Sequence, residues 1–583
     1  MILSKVKVKN YRNFVDEEVN FLNQSIIIGP NDVGKTNLIM AIRLLLDRNL
    51  SYNDLEPQEK DFNIFTNEDE ITIILEFSEI NITNDSYIYA VLGTDIENEK
   101  MYLMYKGEKY GDEKFKFFIS AKENEDSFHE ISRHKYLKVI NCVYLDSTRQ
   151  LKQLSRRSKI NMINSYKQVR ENEEIENDNI ILNNIENDVN ELNKKVESIS
   201  YINKSTDFIK KELQAMSSSN DNIDIKFSSY NDADDIIDNV ELITLLNGKN
   251  VSIGGDGRNN QIYMSMWIKE SEDKYDIEKQ FVVYIIEEPE SHLHFPLQAM
   301  TIKQIMKKIS SQLITTTHSP QIVLEFNPSS IIKLSFDKDK RTIITNNGCS
   351  KKLENELVSF GYRYNLITGS IFYSSGVFLV EGVSELLLFK FITKKVGIDL
   401  EKYNILIIQV DGVAFRPYIH LLNGLKINYA IRTDNDIIGN SNGNTYYCSG
   451  INRLIDYHNE LKADDEKISN EQFLSLPSKE LDATTFELFK NYRTIFENEG
   501  LFLSDIDLET DLSNMEFLSD YIISNYKNKE EFVKYLKKSK GQNMYYLIRE
   551  LAEIKITKED VKHFLKPLLW LIDNVDGNHN EWN

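Results

Sequence analysis

The stretch Gly29-Pro30-Asn31-Asp32-Val33-Gly34-Lys35-Thr36 constrains this chain more than any other. The apolar run Ser25-Ile26-Ile27-Ile28 before it predicts a buried strand, and Asn37-Leu38-Ile39-Met40-Ala41-Ile42 after it predicts a helix. The segment therefore fits G-x-x-x-x-G-K-[ST] in the strand–loop–helix context that the pattern requires. Its glycines let backbone N–H groups approach phosphate oxygens, and the helix N-terminus adds a favourable dipole. Lys35 is placed to reach the β- and γ-phosphates and Thr36 to hold Mg²⁺, with Asn31, Gly34 and Asn37 completing the expected contact set. The motif predicts ATP or GTP binding without saying what the binding is for.

Such a loop needs an acid for the metal ion and for orienting water. Ile285-Ile286-Glu287-Glu288-Pro289-Glu290 supplies one: an apolar strand ending in paired carboxylates puts Glu287 near the metal and Glu288 near the γ-phosphate. The next strand ends at Thr317-His318-Ser319-Pro320, where His318 is placed to contact the γ-phosphate. A second glycine-rich loop, Ser252-Ile253-Gly254-Gly255-Asp256-Gly257, opens a helix at Asn259-Asn260-Gln261, and Gly254 and Gly255 are expected to bind phosphate from outside the first site. Taken in order, these pieces resemble the ABC-type ATPases of DNA repair and chromosome maintenance. That resemblance implies a dimer of heads, the glycine loop of one subunit closing on the ATP held by the other. The chain departs from that class at Glu287, where Asp is usual.

At 583 residues the chain exceeds what one core can bury, and length alone predicts roughly three or four domain-sized units. A net charge of −22 argues against non-specific nucleic-acid binding by the whole surface. It leaves room for a local patch, and Arg149, Lys152, Arg156, Arg157, Lys159, Lys167 and Arg170 offer one, or else a charged arm that stays soluble. Cys142, Cys349 and Cys448 are far apart, without metal-ligand spacing, as suits a reducing cytoplasm. The N-terminus alternates like a strand rather than a signal peptide, and no apolar run reaches membrane-spanning length. The expectation is a cytoplasmic protein with no membrane association.

Composition changes along the chain. Residues 70–145 carry several β-like runs. Residues 150–245 are rich in Asn, Glu, Lys and Ser with helical stretches, and read as an insertion. The insertion is either an antiparallel hairpin packing against a second subunit or a solvated arm with no partner. In residues 375–435, strands alternate with helical segments, the signature of a parallel α/β sheet. Residues from about 455 to 583 read mainly helical. The predicted architecture is α/β: an ATPase head over 1–345 with the helical insertion, then a parallel-sheet domain with a helical C-terminal part over 346–583.

The parallel sheet ends its strands in acids: Val380-Glu381-Gly382-Val383-Ser384-Glu385, Val410-Asp411-Gly412 and Thr433-Asp434-Asn435-Asp436. Glu381 and Glu385 share a face if the turn is tight. Asp434 and Asp436, one residue apart, point the same way in an extended segment. Carboxylates gathered at one sheet edge repel unless cations lie between them, and hard oxygen ligands select Mg²⁺ or Mn²⁺. Two such ions can activate water and stabilise a leaving oxygen in phosphodiester cleavage.

This ordered set resembles the Toprim fold shared by topoisomerases, primases and some nucleases, and Glu385 in Glu-Gly-x-Ser-Glu resembles the overcoming-lysogenization-defect (OLD) nucleases. The OLD resemblance covers nearly the whole chain. It implies that a downstream cluster, Glu509 with Asp507 and Asp511, completes the metal set beside Glu381, Glu385, Asp434 and Asp436. It also implies that Lys540, with Lys538 close behind, stabilises charge on the scissile phosphate. By the same resemblance the chain is an endonuclease of double-stranded DNA, nucleotide-gated and acting in anti-phage defence. It would form a homo-oligomer, dimer or tetramer, with a helicase-like partner protein. A repair-type ATPase with a non-catalytic Toprim block is the competing reading. Strand passage ranks last, because none of the 30 tyrosines stands in a context that singles it out.

Overall fold

Alternating apolar and polar residues from Ile2 to Asn20 build a hairpin where the N-terminus reads as a strand. In the computed structural model its strands, Ile2–Tyr11 and Phe14–Asn20, pair antiparallel around a tight turn. The structure describes residues 1–81, 85–92, 99–111, 113–146, 160, 163–216, 244–246, 249–251, 256–275, 279–337, 339–351, 355, 361, 365–410, 412–439, 445–460, 462–477 and 483–576. They form two compact units, one of Met1–Tyr144, Val283–Glu288 and Ser311–Asn583, the other of Leu145–Val282 and Pro289–Ser310.

The first unit holds three sheets. The hairpin continues into an antiparallel sheet through Glu70–Ser78, Met101–Glu108, Phe115–Ser120 and His129–Glu130. The second sheet runs in the order Thr342–Ile344, Ile331–Phe336, Gln24–Ile28, Gln312–Thr316, Phe281–Glu287, Ile140–Leu145. Its central strands are parallel and almost wholly buried, which is why they read as continuous apolar runs rather than alternating ones. Gln24–Ile28 feeds the phosphate loop, and Lys35–Leu46 is the helix that follows.

The third sheet is the parallel one predicted for 375–435. Its order is Ile405–Gln409, Gly376–Val380, Asn428–Thr433, Leu501–Leu503. Phe378 and Val380 pack with Phe389 and Ile392 of the helix Val383–Val396 and with Phe564 and Leu568 of the helix Lys562–Asp576. The last strand, Leu501–Leu503, lies inside the segment expected to be helical; three residues are too few to show strand periodicity, and only pairing with Ile431–Thr433 defines it. It delivers the downstream acids to the sheet edge.

The second unit contains the helices Asn172–Glu197 and Ser200–Met216, as predicted for the insertion, together with Asp256–Lys274 and Phe295–Lys308. Asp256–Lys274 begins ahead of the expected start at Asn259. No helix among the described residues is long and apolar enough to cross a membrane.

Candidate active site

The phosphate loop is held open by its glycines. Gly29 and Gly34 have φ of 152° and 101°, and Gly34 caps the helix that begins at Lys35. A Cβ on Gly34 would overlap the Asn13 amide, which donates to the Val33 carbonyl at 2.8 Å. The hairpin turn therefore braces the loop. Asn37 belongs to the same brace: its amide donates to Asn13 Oδ1 at 2.6 Å and its carbonyl oxygen accepts from Arg12 at 2.8 Å. Its side chain is turned to the hairpin, whereas Asn31 is exposed at the loop crest. The buried Lys35 ammonium donates to the carbonyls of Gly29 (3.0 Å) and Pro30 (2.7 Å), inside the cradle a phosphate would fill.

The acids of the neighbouring strand stand beside this loop. Thr36 donates to Glu287 Oε2 at 3.4 Å, which brings the two expected metal contacts together. Glu288 takes a positive φ of 45°, sparsely populated for a residue with a Cβ, and its carboxylate lies 3.8 Å from His318 Nε2. Burial and then the Lys35 charge lower the His318 pKa, against the pull of Glu288. Lys35, Glu288 and His318 thus form one electrostatic group at the loop mouth. Gly254, Gly255 and the basic residues Arg149, Lys152, Arg156, Arg157 and Lys159 lie outside the described residues. Of the remaining two, Arg170 pairs with Asp178 at 2.6 Å.

The second centre sits at the carboxyl edge of the third sheet, where Glu381 and Asp434 follow neighbouring strands. Glu381 Oε1 accepts from the Asp434 amide (3.0 Å), from Arg453 (2.9 Å) and from the Thr433 hydroxyl. Glu385, one helical turn on, accepts from the Gly382 amide at 2.9 Å. Burial, with Asp434 and Glu381 nearby, pushes its carboxyl up to about 8, and burial followed by Asp434 raises that of Glu381. Asp434 Oδ1 accepts from Ser504 (3.0 Å) and the Leu508 amide (3.1 Å), so the edge strand and its following turn fix it. Asp434 and Asp436 share one electrostatic neighbourhood, since Asp434, Asp507, Lys540 and Lys537 all act on Asp436. Asp434 is buried and Asp436 exposed, because the chain leaves the sheet after Asp434 and the Asn435 amide turns to the Ile506 carbonyl.

The downstream acids converge here with unequal roles. Glu509 is 1% exposed; Lys540 lies 3.9 Å from its Oε1, and its Oε2 accepts no hydrogen bond among the described residues. Burial raises its pKa. Asp507 caps the helix Leu508–Ser513 through the Thr510 amide and pairs with Lys537 at 2.6 Å. Asp511 accepts from Arg432 at 3.0 Å. Burial opposes the charge of Lys540, but Glu509, Asp434, Glu385 and Glu381 outweigh it and raise the lysine's pKa. Lys538 and Lys540 are both exposed, and Lys540 is the one placed 3.9 Å from Glu509 Oε1.

Sequence reasoning missed Arg432, Arg453, Lys537 and Ser504. Arg432 is 4% exposed, and its Nη1 stands 3.9 Å from both Glu385 Oε1 and Asp434 Oδ1. Its position inside an apolar strand, directly before Thr433-Asp434, was the available signal, since a buried arginine requires acids around it.

As placed, no three His, Cys, Asp or Glu residues among those described are close enough to hold one ion. The donor chemistry nevertheless fits a divalent cation. Every donor is a hard oxygen, and Glu385 Oε1 and Glu509 Oε2 are buried without a hydrogen bond. The carboxylates Glu381, Glu385, Asp434, Asp436, Asp507, Glu509 and Asp511 also outnumber Arg432, Arg453, Lys537 and Lys540.

Fold and sites together define a nucleotide-binding head joined to a Toprim acidic centre on one chain. A family profile described as an AAA ATPase domain matches residues 1–323, and one described as the TOPRIM domain of overcoming-lysogenization-defect-like proteins matches residues 372–436. The chain belongs to that ATPase family and carries an OLD-like TOPRIM domain. It is 26% identical over 573 residues to the endonuclease GajA of Bacillus cereus strain VD045, covering 95% of this chain and 96% of that one. With the endonuclease GajA of Bacillus cereus strain HuB5-5 it shares 24% identity over 543 residues, 75% of this chain and 77% of the relative. Among solved structures, the C-terminal region of the Xanthomonas campestris pv. campestris OLD protein is similar at 20% identity, covering 37% of this chain and 100% of that one, with a TM-score of 0.27.

Proposed function

We propose that this chain is a nucleotide-regulated, metal-dependent endonuclease of duplex DNA that acts in anti-phage defence, as a member of a Gabija-type system with a helicase-like partner protein. The observation that carries the reading is the convergence of Glu381, Glu385, Asp434 and Glu509 on one sheet edge facing Lys540. A relative named an endonuclease, similar over 95% of this chain, supports it. The head spans 1–345 and the nuclease part 346–583, in a cytoplasmic protein.

Glu381, Glu385, Asp434, Asp436 and Glu509 would hold Mg²⁺ or Mn²⁺, with Asp507 and Asp511 supporting them; in a two-ion arrangement these ions supply Lewis acidity and an activated water. The chain's own groups do the rest. Arg453 and the Asp434 amide hold Glu381 in place. Arg432 holds Asp511 and neutralises Glu385 and Asp434 from beneath. Lys540, on the exposed side, meets charge developing on the scissile phosphate. At the head, Lys35 and Thr36 bind ATP, with Glu287 toward the metal and Glu288 and His318 toward the γ-phosphate. The helices of the insertion expose Ile180, Ile181, Tyr201 and Phe208, more apolar surface than a solvated arm needs, and this favours packing against a second copy in a dimer or tetramer.

The test is plasmid nicking by purified protein with Mg²⁺ or Mn²⁺, with and without ATP. Wild type should cut and Glu381→Ala should not. Normal cutting by Glu381→Ala would remove the nuclease assignment from this site.

A further inference from the structure

The phosphate loop and the acidic centre belong to different sheets of one compact unit, and a short hairpin connects them. Its strands are Ile331–Phe336 and Thr342–Ile344. Both touch the phosphate loop. Ile331–Phe336 lies parallel to Gln24–Ile28 with Lys333 opposite Ile28, and the next residue, Gly29, packs so closely on the Leu334 carbonyl that a Cβ there would overlap it. On the other strand, the Thr342 hydroxyl donates to the Val33 carbonyl, within the loop, at 2.8 Å.

The same hairpin reaches a helix of the Toprim part. Lys333 Nζ donates to the Leu425 carbonyl at 3.1 Å, and the Asn346 amide, just past the second strand, donates to the Gly424 carbonyl at 2.7 Å. These carbonyls end the helix Arg416–Gly424, where backbone acceptors lack intrahelical partners and the dipole favours a cation. Lys333 is 6% exposed and burial lowers its pKa to about 7, so its amine is held there with no ion pair among the described residues. A buried lysine serving only packing would be better replaced by an apolar residue. The helix that it caps joins the strand Ile405–Gln409 to Asn428–Thr433. The second strand ends at the Thr433 hydroxyl and Asp434 amide, which both donate to Glu381.

We propose that Lys333 and Asn346 are positioning residues that couple the two sites: they fasten the hairpin that packs on the phosphate loop to the helix that leads into the strand ending before Asp434. Lys35 donates to the Gly29 and Pro30 carbonyls. A phosphate that draws its ammonium away frees the loop backbone, and Gly29 and Val33 pass the change to the two hairpin strands. The coupling responds to the β- and γ-phosphates, because it runs through the lysine placed to reach both. This inference rests on the nuclease reading above and supplies its route of regulation.

The test uses the full chain and two substitutions, Lys333→Met, close in volume, and Asn346→Gly, which tolerates the local φ of 53°. Nicking rates are measured with and without ATP. The affinity for a fluorescent ATP analogue is measured with and without a DNA duplex in Ca²⁺. Both variants should fold, bind the analogue and cut in the absence of nucleotide. The ratio of cutting with and without ATP should move toward one by about five-fold or more, as expected for a lost coupling of ordinary size. By reciprocity, the DNA-induced shift in analogue affinity should shrink equally. Wild-type responses in both variants overturn the proposal. If Lys333→Met does not fold, Asn346→Gly decides by the same ratio. A wild-type chain that cuts no DNA overturns the functional reading instead, and the affinity shift then decides the coupling alone.

Discussion

Arg432 donates to Asp511 at 3.0 Å, and both side chains are almost completely buried at the edge of the Toprim sheet. The guanidinium also stacks near Phe389 and Phe564, with its carbon 5.9 Å and 5.4 Å from the ring centroids. It therefore joins the apolar core to the acids. Arg432→Met leaves Asp511, Glu385 and Asp434 without this cation, and the expected loss is about 3–5 kcal/mol in urea unfolding. Adding Asp511→Leu should restore part of it. A loss under about 1 kcal/mol for Arg432→Met would show that the acids tolerate their own repulsion.

Gly450 opens the helix that carries Arg453, and a Cβ there would overlap the Asp434 carbonyl and crowd the Asn435 Cα. Both obstacles are backbone and cannot swing aside. Gly450→Ala should cost about 1–3 kcal/mol and displace Asp434, lowering plasmid cutting while ATP-analogue affinity at the head stays unchanged. Unimpaired cutting would mean that the position of Asp434 matters less than its hydrogen bonds suggest.

Lys540 and Lys538 lie two residues apart, but only Lys540 faces Glu509, Asp434, Glu385 and Glu381. Lys540→Ala should slow nicking by about a hundred-fold or more, the size of losing one preorganised transition-state donor. Lys538→Ala should stay within a few-fold of wild type. Equal losses would assign both lysines to DNA contact rather than chemistry.

The buried Lys333 predicts a pH dependence of stability. Its folded pKa is about 7 and its reference value 10.5. Between these, the unfolded chain holds a proton that the folded chain has lost, so this residue makes stability rise with pH across that window, by at most about 1.4 kcal/mol per unit. Below pH 7 both states are protonated and the contribution is flat and unfavourable. Lys333→Met should remove this slope and be more stable than wild type near neutrality, as read from the difference between the two unfolding curves.

How much could be read in advance follows from the range of the interactions. Gly29–Thr36, Glu287 and Glu381 were legible because a strand, its turn and the next helix are set within a dozen residues, and chemistry at such turns needs particular residue types. The insertion's helices were legible from composition and periodicity. Leu501–Leu503 was not, since its strand exists only by pairing across some seventy residues with Ile431–Thr433. The exposure of Asp436 beside a buried Asp434 was not legible, because alternation assumes that the strand continues, and it ends at Thr433.

By itself, then, the sequence determined which groups could do chemistry: a loop that must bind phosphate, and acids that must end parallel strands. Only the tertiary structure decided how they are used. It set Arg432, Arg453 and Lys537 against particular carboxylates, placed Lys540 beside Glu509, and joined the phosphate loop to the Toprim helix through Lys333 and Asn346. The reason is physical. Backbone conformation is fixed mainly by near neighbours, whereas the pairing of buried charges depends on which distant side chains share a low-dielectric space, and only the packed chain defines that.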